Sequence, residues 1–412
     1  MRMHEQFLAG PTSRPPRRSR HRRRRRFAAI GAVALVVAIS ACAPSPDDPV
    51  PLRADPDAPF VLAGVSGVTQ IAQLTGPDGI NDTAAAGVAG TDLGWMLAAG
   101  DRTLFVFGDT FGDRAPDAVG AQGGFWRSNV SAWTTDDDPS DGITFDGWAP
   151  ADDLGLAEAL VEGEHDANDG TGEVTKIPTG GFAVGETLYL SYMSVSFWGE
   201  PGAWDAAYAG LARSTDGGDS WEALAAPRWA GTSNFVQVTT ALVSDGGADY
   251  VYLWGIPAGR FGAVQLMRVR ATTAEVEDPS AYQYFAGTDG EGGVRWSPHE
   301  EAAETVLPGS IGELSVMWSS YLERWVMTYS DGGSAYIREG LSPWGPWGEP
   351  IPIASPSEYP GLYAPYLHPR YVDDGGRRLY FTMSLWEPYN VFWFSLDLDL
   401  DLDLGLDLDR AD

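Results

Sequence analysis

The sequence predicts an all-β chain folded as a five-bladed β-propeller, and three observations carry that prediction. The first is a set of five similar segments: Leu104-Phe-Val-Phe-Gly108, Leu188-Tyr-Leu-Ser-Tyr192, Tyr250-Val-Tyr-Leu-Trp-Gly255, Arg324-Trp-Val-Met-Thr-Tyr-Ser330 and Leu379-Tyr-Phe-Thr-Met-Ser384. Aromatic and β-branched residues at this density belong to pleated, largely buried strands. The second is that each segment follows a turn, such as Asp245-Gly-Gly-Ala-Asp249 or Asp373-Asp-Gly-Gly-Arg377, with an apolar stretch ahead of it, so each unit begins as a hairpin. The third is a further strand candidate behind each, as in Val264-Gln-Leu-Met-Arg-Val269 and Val391-Phe-Trp-Phe-Ser395. Small antiparallel units repeating every few tens of residues indicate radial repetition.

The ends of the chain are read separately. Arg22 to Arg26 form a basic run before an apolar stretch, Phe27 to Ile39, that is too short to span a bilayer. Ile39-Ser-Ala-Cys42 then resembles a bacterial lipobox, with residues 1–41 as signal peptide and Cys42 as the lipidated residue; an ordinary signal peptide is the alternative. Arg24-Arg-Arg-Phe27 also has the look of a twin-arginine signal. These features predict an exported protein, lipid-anchored on the outer face of the cytoplasmic membrane. Cys42 is the sole cysteine, so no disulfide is expected. Residues 42–61, rich in Pro and Asp, read as a tether, and 62–396 as the propeller. Residues 397–412 form Leu-Asp repeats, which as a strand would stack carboxylates on one face, so an acidic tail is expected.

The chain holds 27 basic and 57 acidic side chains, a net charge of −30. Residues 1–41 contain ten Arg and one Glu, so removing them leaves 17 basic and 56 acidic side chains, net −39. Such a surface repels nucleic acid and anionic headgroups, and a neutral polymer is the more natural partner. Sixteen Trp and sixteen Tyr exceed what packing alone requires, which suggests sugar-stacking platforms.

Ser214-Thr-Asp-Gly-Gly-Asp-Ser-Trp221 fits the Asp-box pattern of propeller turns, a structural mark. The chemistry is expected where the first strand of each unit opens, because innermost strands line the central channel. Those openings carry Asp92, Glu173 with Lys176, Gln237, Glu313, and Tyr363 with His368. Asp109, between Gly108 and Thr110, ends the second strand of unit one beside flanking aromatics. Asp92, Asp109 and Glu313 are the candidate catalytic acids. Two carboxyls astride a glycosidic bond, one protonated and one ionised, are what glycoside hydrolysis needs. Glu173, Lys176 (the only lysine), Gln237, Arg260, Tyr363 and His368 are candidates for substrate binding. With five His in all, none paired at ligand spacing, and no spare Cys, zinc is not expected, and no cofactor is implied. Asp136-Asp-Asp-Pro-Ser-Asp141 could attract a structural calcium but lacks an EF-hand register and reads as an acidic turn.

Gly90-Thr-Asp-Leu-Gly94, Phe107-Gly-Asp-Thr-Phe111, Trp126-Arg-Ser-Asn129, Lys176-Ile-Pro-Thr-Gly180, Gly312-Glu-Leu-Ser-Val316, Tyr359-Pro-Gly-Leu-Tyr363 and Ser384-Leu-Trp-Glu-Pro-Tyr-Asn390 occur in order. Together they resemble the actinobacterial domain-of-unknown-function family 4185, part of which is classed as glycoside hydrolase family 183. The resemblance covers roughly residues 62–396. It implies a five-bladed propeller that hydrolyses D-arabinan internally, with catalytic acids at Asp92 and Asp109. Glu313 is the third candidate by analogy with other five-bladed glycosidases. Cell-wall polysaccharide is then the expected partner, and a monomer the expected state. A non-catalytic propeller that binds wall glycan is the alternative. A sialidase-like exo enzyme ranks lower, because Arg127, Arg213 and Arg260 are too scattered for an arginine cluster.

Overall fold

A computed structural model describes residues 48–401, apart from 53, 54, 56, 116 and 292. Cys42, the export segment and the residues beyond 401 lie outside the described residues.

The chain is all-β in a β-propeller arrangement. The first sheet orders Leu93–Ala99, Arg102–Phe107, Val130–Thr134 and Gly147–Trp148. The second comprises Thr175–Val184, Thr187–Trp198, Trp204–Ser214 and Glu222–Ala230. The fourth is Leu314–Ser319, Arg324–Asp331, Ser334–Gly340 and Ile351–Ala354. The fifth places Leu362–Asp373, Arg378–Leu385 and Asn390–Leu400 beside Leu62–Gln73, so a strand from each end of the propeller completes one sheet.

The third sheet departs from the equal units expected. It is seven-stranded and built on Gln237–Asp245, Ala248–Ile256 and Gly262–Arg270. The outer edge of Gly262–Arg270 is shared: Thr305–Ile311 pairs near its start and Gln283–Thr288 near its end. The split admits an extra hairpin strand, Val294–Ser297. Four regular four-stranded blades and one enlarged sheet thus replace five equal ones. Innermost strands neighbour one another in chain order, and the strand Leu362–Asp373 returns to Leu93–Ala99.

The core lies between successive sheets, which explains the apolar runs of the second strands. Leu104, Phe105, Val106 and Phe107 are all fully buried because both faces of their sheet are covered. Trp254 and Trp325 meet across the third and fourth sheets with ring centroids 5.6 Å apart. The Asp-box turn forms as expected: Asp216 accepts from Ser220 N–H and from the Ser214 hydroxyl, while Gly218 sits against Leu104 of the neighbouring sheet.

Both boundaries move. The tether is held at two places, because Val50–Pro51 pairs in parallel with Val243 and Ser244, and buried Val61 donates its N–H to Glu339. At the other end the strand continues through Leu-Asp repeats to Leu400. Repulsion does not prevent this: Leu396 and Leu398 are fully buried, while Arg377 and Arg378 neutralise Asp397, and Arg377 reaches Asp399.

Candidate active site

Asp92 and Asp109 reach one cavity because the strands that carry them end side by side. Gly108 N–H donates to the Asp92 carbonyl, and the Thr91 and Thr110 hydroxyls meet at 2.7 Å. Past Asp92 the chain bulges. Leu93 and Gly94 both take positive φ, 67° and 76°, and the pairing register shifts between Leu93 and Trp95. A left-handed leucine costs roughly 1–2 kcal/mol, and fifth-sheet hydroxyls hold it there: Ser384 Oγ accepts from Leu93 N–H, and Thr382 donates to the Gly94 carbonyl. A Cβ on Gly94 would meet Val391 Cγ1 at 2.8 Å, so the bulge also requires glycine. A second bulge at Ala364, with φ 57°, separates Tyr363 from Tyr366, and both tyrosines line the cavity.

The cavity has a volume of about 1100 Å³ and its lining is mostly apolar. Asp92, Asp109, Gln237, Arg260, Glu313 and Tyr363 all line it. Their environments differ. Asp109 Oδ1 accepts from Thr175 Oγ1 at 2.6 Å and from Trp126 Nε1 at 2.7 Å. Asp92 Oδ2 accepts from the Tyr363 hydroxyl at 2.9 Å, while Oδ1 is buried without a hydrogen-bond partner. Burial pushes both carboxyls up to about 7, and the charge of Asp109 adds to the rise at Asp92.

Glu313 is ionised by contrast. Arg260 Nε lies 3.0 Å from each Glu313 oxygen, Arg260 Nη2 lies 2.6 Å from Oε1, and the Ser330 hydroxyl donates to Oε2. Burial acts to raise its pKa, but the guanidinium and these hydrogen bonds outweigh it and hold Glu313 below the usual carboxylate range. Gln237 donates to the carbonyls of Pro257 and Gly259, which shapes the loop presenting Arg260.

Three expected residues do not line the cavity. Lys176 turns to Glu173 at 2.5 Å and to the Glu162 carbonyl at 2.6 Å, and Ser194 donates to the other Glu173 oxygen. His368 is buried against Tyr371, accepts from Arg370 N–H, and is pushed down to about 3 by burial, so it is neutral. Thr175, Trp126, Tyr366 and Tyr389 complete the site without having been singled out. Trp126 and Tyr389 sit in the motif segments quoted above, which was the available signal. Among the described residues no group of three His, Cys, Asp or Glu could hold a metal, and the Asp136–Asp141 turn is closed by its own Asp and Ser side chains.

Residues 78–395 match the family described as a domain of unknown function, DUF4185. The chain belongs to that family. Notoamide biosynthesis cluster protein J of Aspergillus sp. (strain MF297-2) is 28% identical over 318 residues, covering 73% of this chain and 80% of that protein. Notoamide biosynthesis cluster protein J′ of Aspergillus versicolor is 29% identical over 311 residues, covering 73% and 82%. A crystal structure from Bacteroides ovatus ATCC 8483 is similar in fold at 13% identity, with a TM-score of 0.52 over 75% of this chain and 86% of that one.

Proposed function

We propose that this DUF4185 protein is an endo-acting glycoside hydrolase that cleaves α-linked D-arabinofuranosyl chains of cell-wall arabinan. The observation that carries this reading is the pair of buried carboxyls, Asp92 and Asp109, both raised to about 7 in one apolar cavity. Asp92 is the acid: the anionic charges of Asp109 and Glu313 favour its protonated form, and a proton suits its unpartnered oxygen. It gives that proton to the leaving glycosidic oxygen. Asp109, with two donors on Oδ1, is the ionised partner that attacks the anomeric carbon or takes a proton from water. Glu313 holds Arg260 and adds negative charge without donating a proton.

The rim supports an endo mode. Phe261 and Trp386 line the cavity yet remain 66% and 46% exposed. Trp386 belongs to the junction of the fifth sheet with the first, whereas Phe261 follows Arg260 in the third. Apolar ring faces on separated walls suit an extended neutral saccharide. Counting the enlarged third sheet as a blade makes the propeller five-bladed, as the cyclic order of inner strands supports. We further propose lipid anchoring at Cys42, and a monomeric, cofactor-free enzyme.

The full chain incubated with purified mycobacterial arabinogalactan tests the reading. A ladder of arabino-oligosaccharides that disappears in Asp92→Asn or Asp109→Asn supports it. Retention on immobilised arabinan without products overturns it in favour of a glycan-binding propeller.

A further inference from the structure

Trp126, whose indole N–H holds Asp109, is only half-buried and lies in a two-stranded ribbon, Thr110–Asp113 with Gly124–Arg127, outside the main blades. Something must fix its plane. The His165 imidazole is stacked on it, with centroids 3.8 Å apart and planes within 4°. His165 takes φ 53° to do so, a conformation that L-residues avoid, and an outlier of this kind is a pointer to function. Its Nε2 lies 2.9 Å from Ser128 Oγ, two residues beyond the indole it covers.

The loop that delivers His165 is clamped on both sides. Lys176 donates to the Glu162 carbonyl, Glu164 N–H donates to Glu173 Oε1, and Asp166 N–H donates to the Glu173 carbonyl. Asn129 adds a reciprocal pair with Val161. The Glu173–Lys176 pair, which does not itself line the cavity, therefore has a task.

We propose that His165 is a positioning residue: it locks the Trp126 indole so that Nε1–H stays on Asp109, and the Glu173–Lys176 pair holds His165 in place. The inference rests on Asp109 being the reactive carboxylate, but its test needs no turnover. The groups facing Asp109 are Thr175, Trp126, Tyr389 and Asp92; those facing His165 are Glu162, Glu173 and Lys176.

The test follows the Asp109 titration by carbon NMR of aspartate-labelled full chain, with Asp109→Asn identifying the resonance. A bond from the indole favours the anion, so loosening it raises the midpoint. His165→Ala is expected to move the midpoint upward by about half a pH unit, the scale of one modest hydrogen bond. His165→Asn, which tolerates positive φ but has no ring, should match it, and His165→Tyr should restore most of the shift. Trp126→Phe should raise the midpoint at least as far, and adding His165→Ala to it should change nothing more. An unmoved midpoint in His165→Ala overturns the proposal, as does a shift of equal size in the Trp126→Phe background. If these shifts appear while the wild type releases no oligosaccharide, the glycosidase reading fails and the positioning role stands.

Discussion

Glu339 and Asp92 are enclosed carboxylates built on opposite terms. Glu339, 3% exposed, accepts from Val61 N–H and Leu62 N–H and faces Arg324 at 3.3 Å. Two backbone donors and a nearby guanidinium favour its anion, and it fastens the incoming strand Leu62–Gln73 to the fourth sheet. Asp92, only part-exposed at the cavity, has tyrosine hydroxyls as its donors, an unpartnered Oδ1 and two acidic neighbours. A fully matched buried carboxylate is a structural pin. An under-matched one stores an unfavourable ionisation that chemistry can use.

That contrast can be broken most sharply by exchanging charge for amide. Asp109→Asn and Asp92→Asn are each expected to lower hydrolysis by a factor of about 10² to 10⁴, read as reducing ends released from arabinan, with the protein still folded. Glu339→Gln should do the reverse. Removing one partner of a buried ion pair costs about 3–5 kcal/mol, so the thermal midpoint should fall by roughly 6–15 °C for a chain of this size, while activity per folded molecule stays near that of the wild type. Equal loss of stability in all three variants would erase the distinction.

The pH dependence sharpens it further. The folded pKa values of Asp92 and Asp109 lie above the unfolded value, so the native state binds more protons between about pH 4 and 7. The stability these groups contribute is present below pH 4 and is lost as pH rises through 7. The thermal midpoint of Asp109→Asn relative to the wild type should therefore climb across that window and level off above it. Scanning calorimetry at pH 4, 6 and 8 checks the sign. Tyr363→Phe removes the donor to Asp92, so the upper limb of the pH–rate profile should move upward by about half a pH unit. The smallest effect is expected from Lys176→Met, a fractional shift of the Asp109 titration in the direction of His165→Ala.

Much of the architecture was legible in the sequence, because each unit repeats the same aromatic second strand and each inner strand begins within a few residues of its polar opening. The three acids were legible for the same reason: they stand where inner or second strands meet the mouth. What could not be read was the direction of each side chain. Glu173 and Glu313 occupy equivalent openings, yet one turns toward Lys176 and the other toward Arg260 at the cavity. The bulges at Leu93 and Ala364 depend on hydroxyls and glycines from distant strands, so no local pattern announces them. The enlarged third sheet was hidden because two outer strands share one edge. The start of the Leu-Asp run, Asp397 to Leu400, pairs as strand rather than tail because neutralising arginines, Arg377 and Arg378, stand at the start of the adjacent strand.

The fifth sheet joins Leu62 to Leu400 and Gln73 to Phe392, so the propeller is fastened by a seam between its two ends. Bringing those ends together constrains more than three hundred residues, at an entropic cost on the order of 5 kcal/mol plus a constant. The seam must outweigh that cost as one unit, with Leu396 and Leu398 buried and Asp397 and Asp399 bound to arginines. The strand Asn390–Leu400 is therefore what closes the ring. The candidate acids are carried on the first and fourth sheets, the two that flank this seam, so the closure of the ring also sets the distance between them.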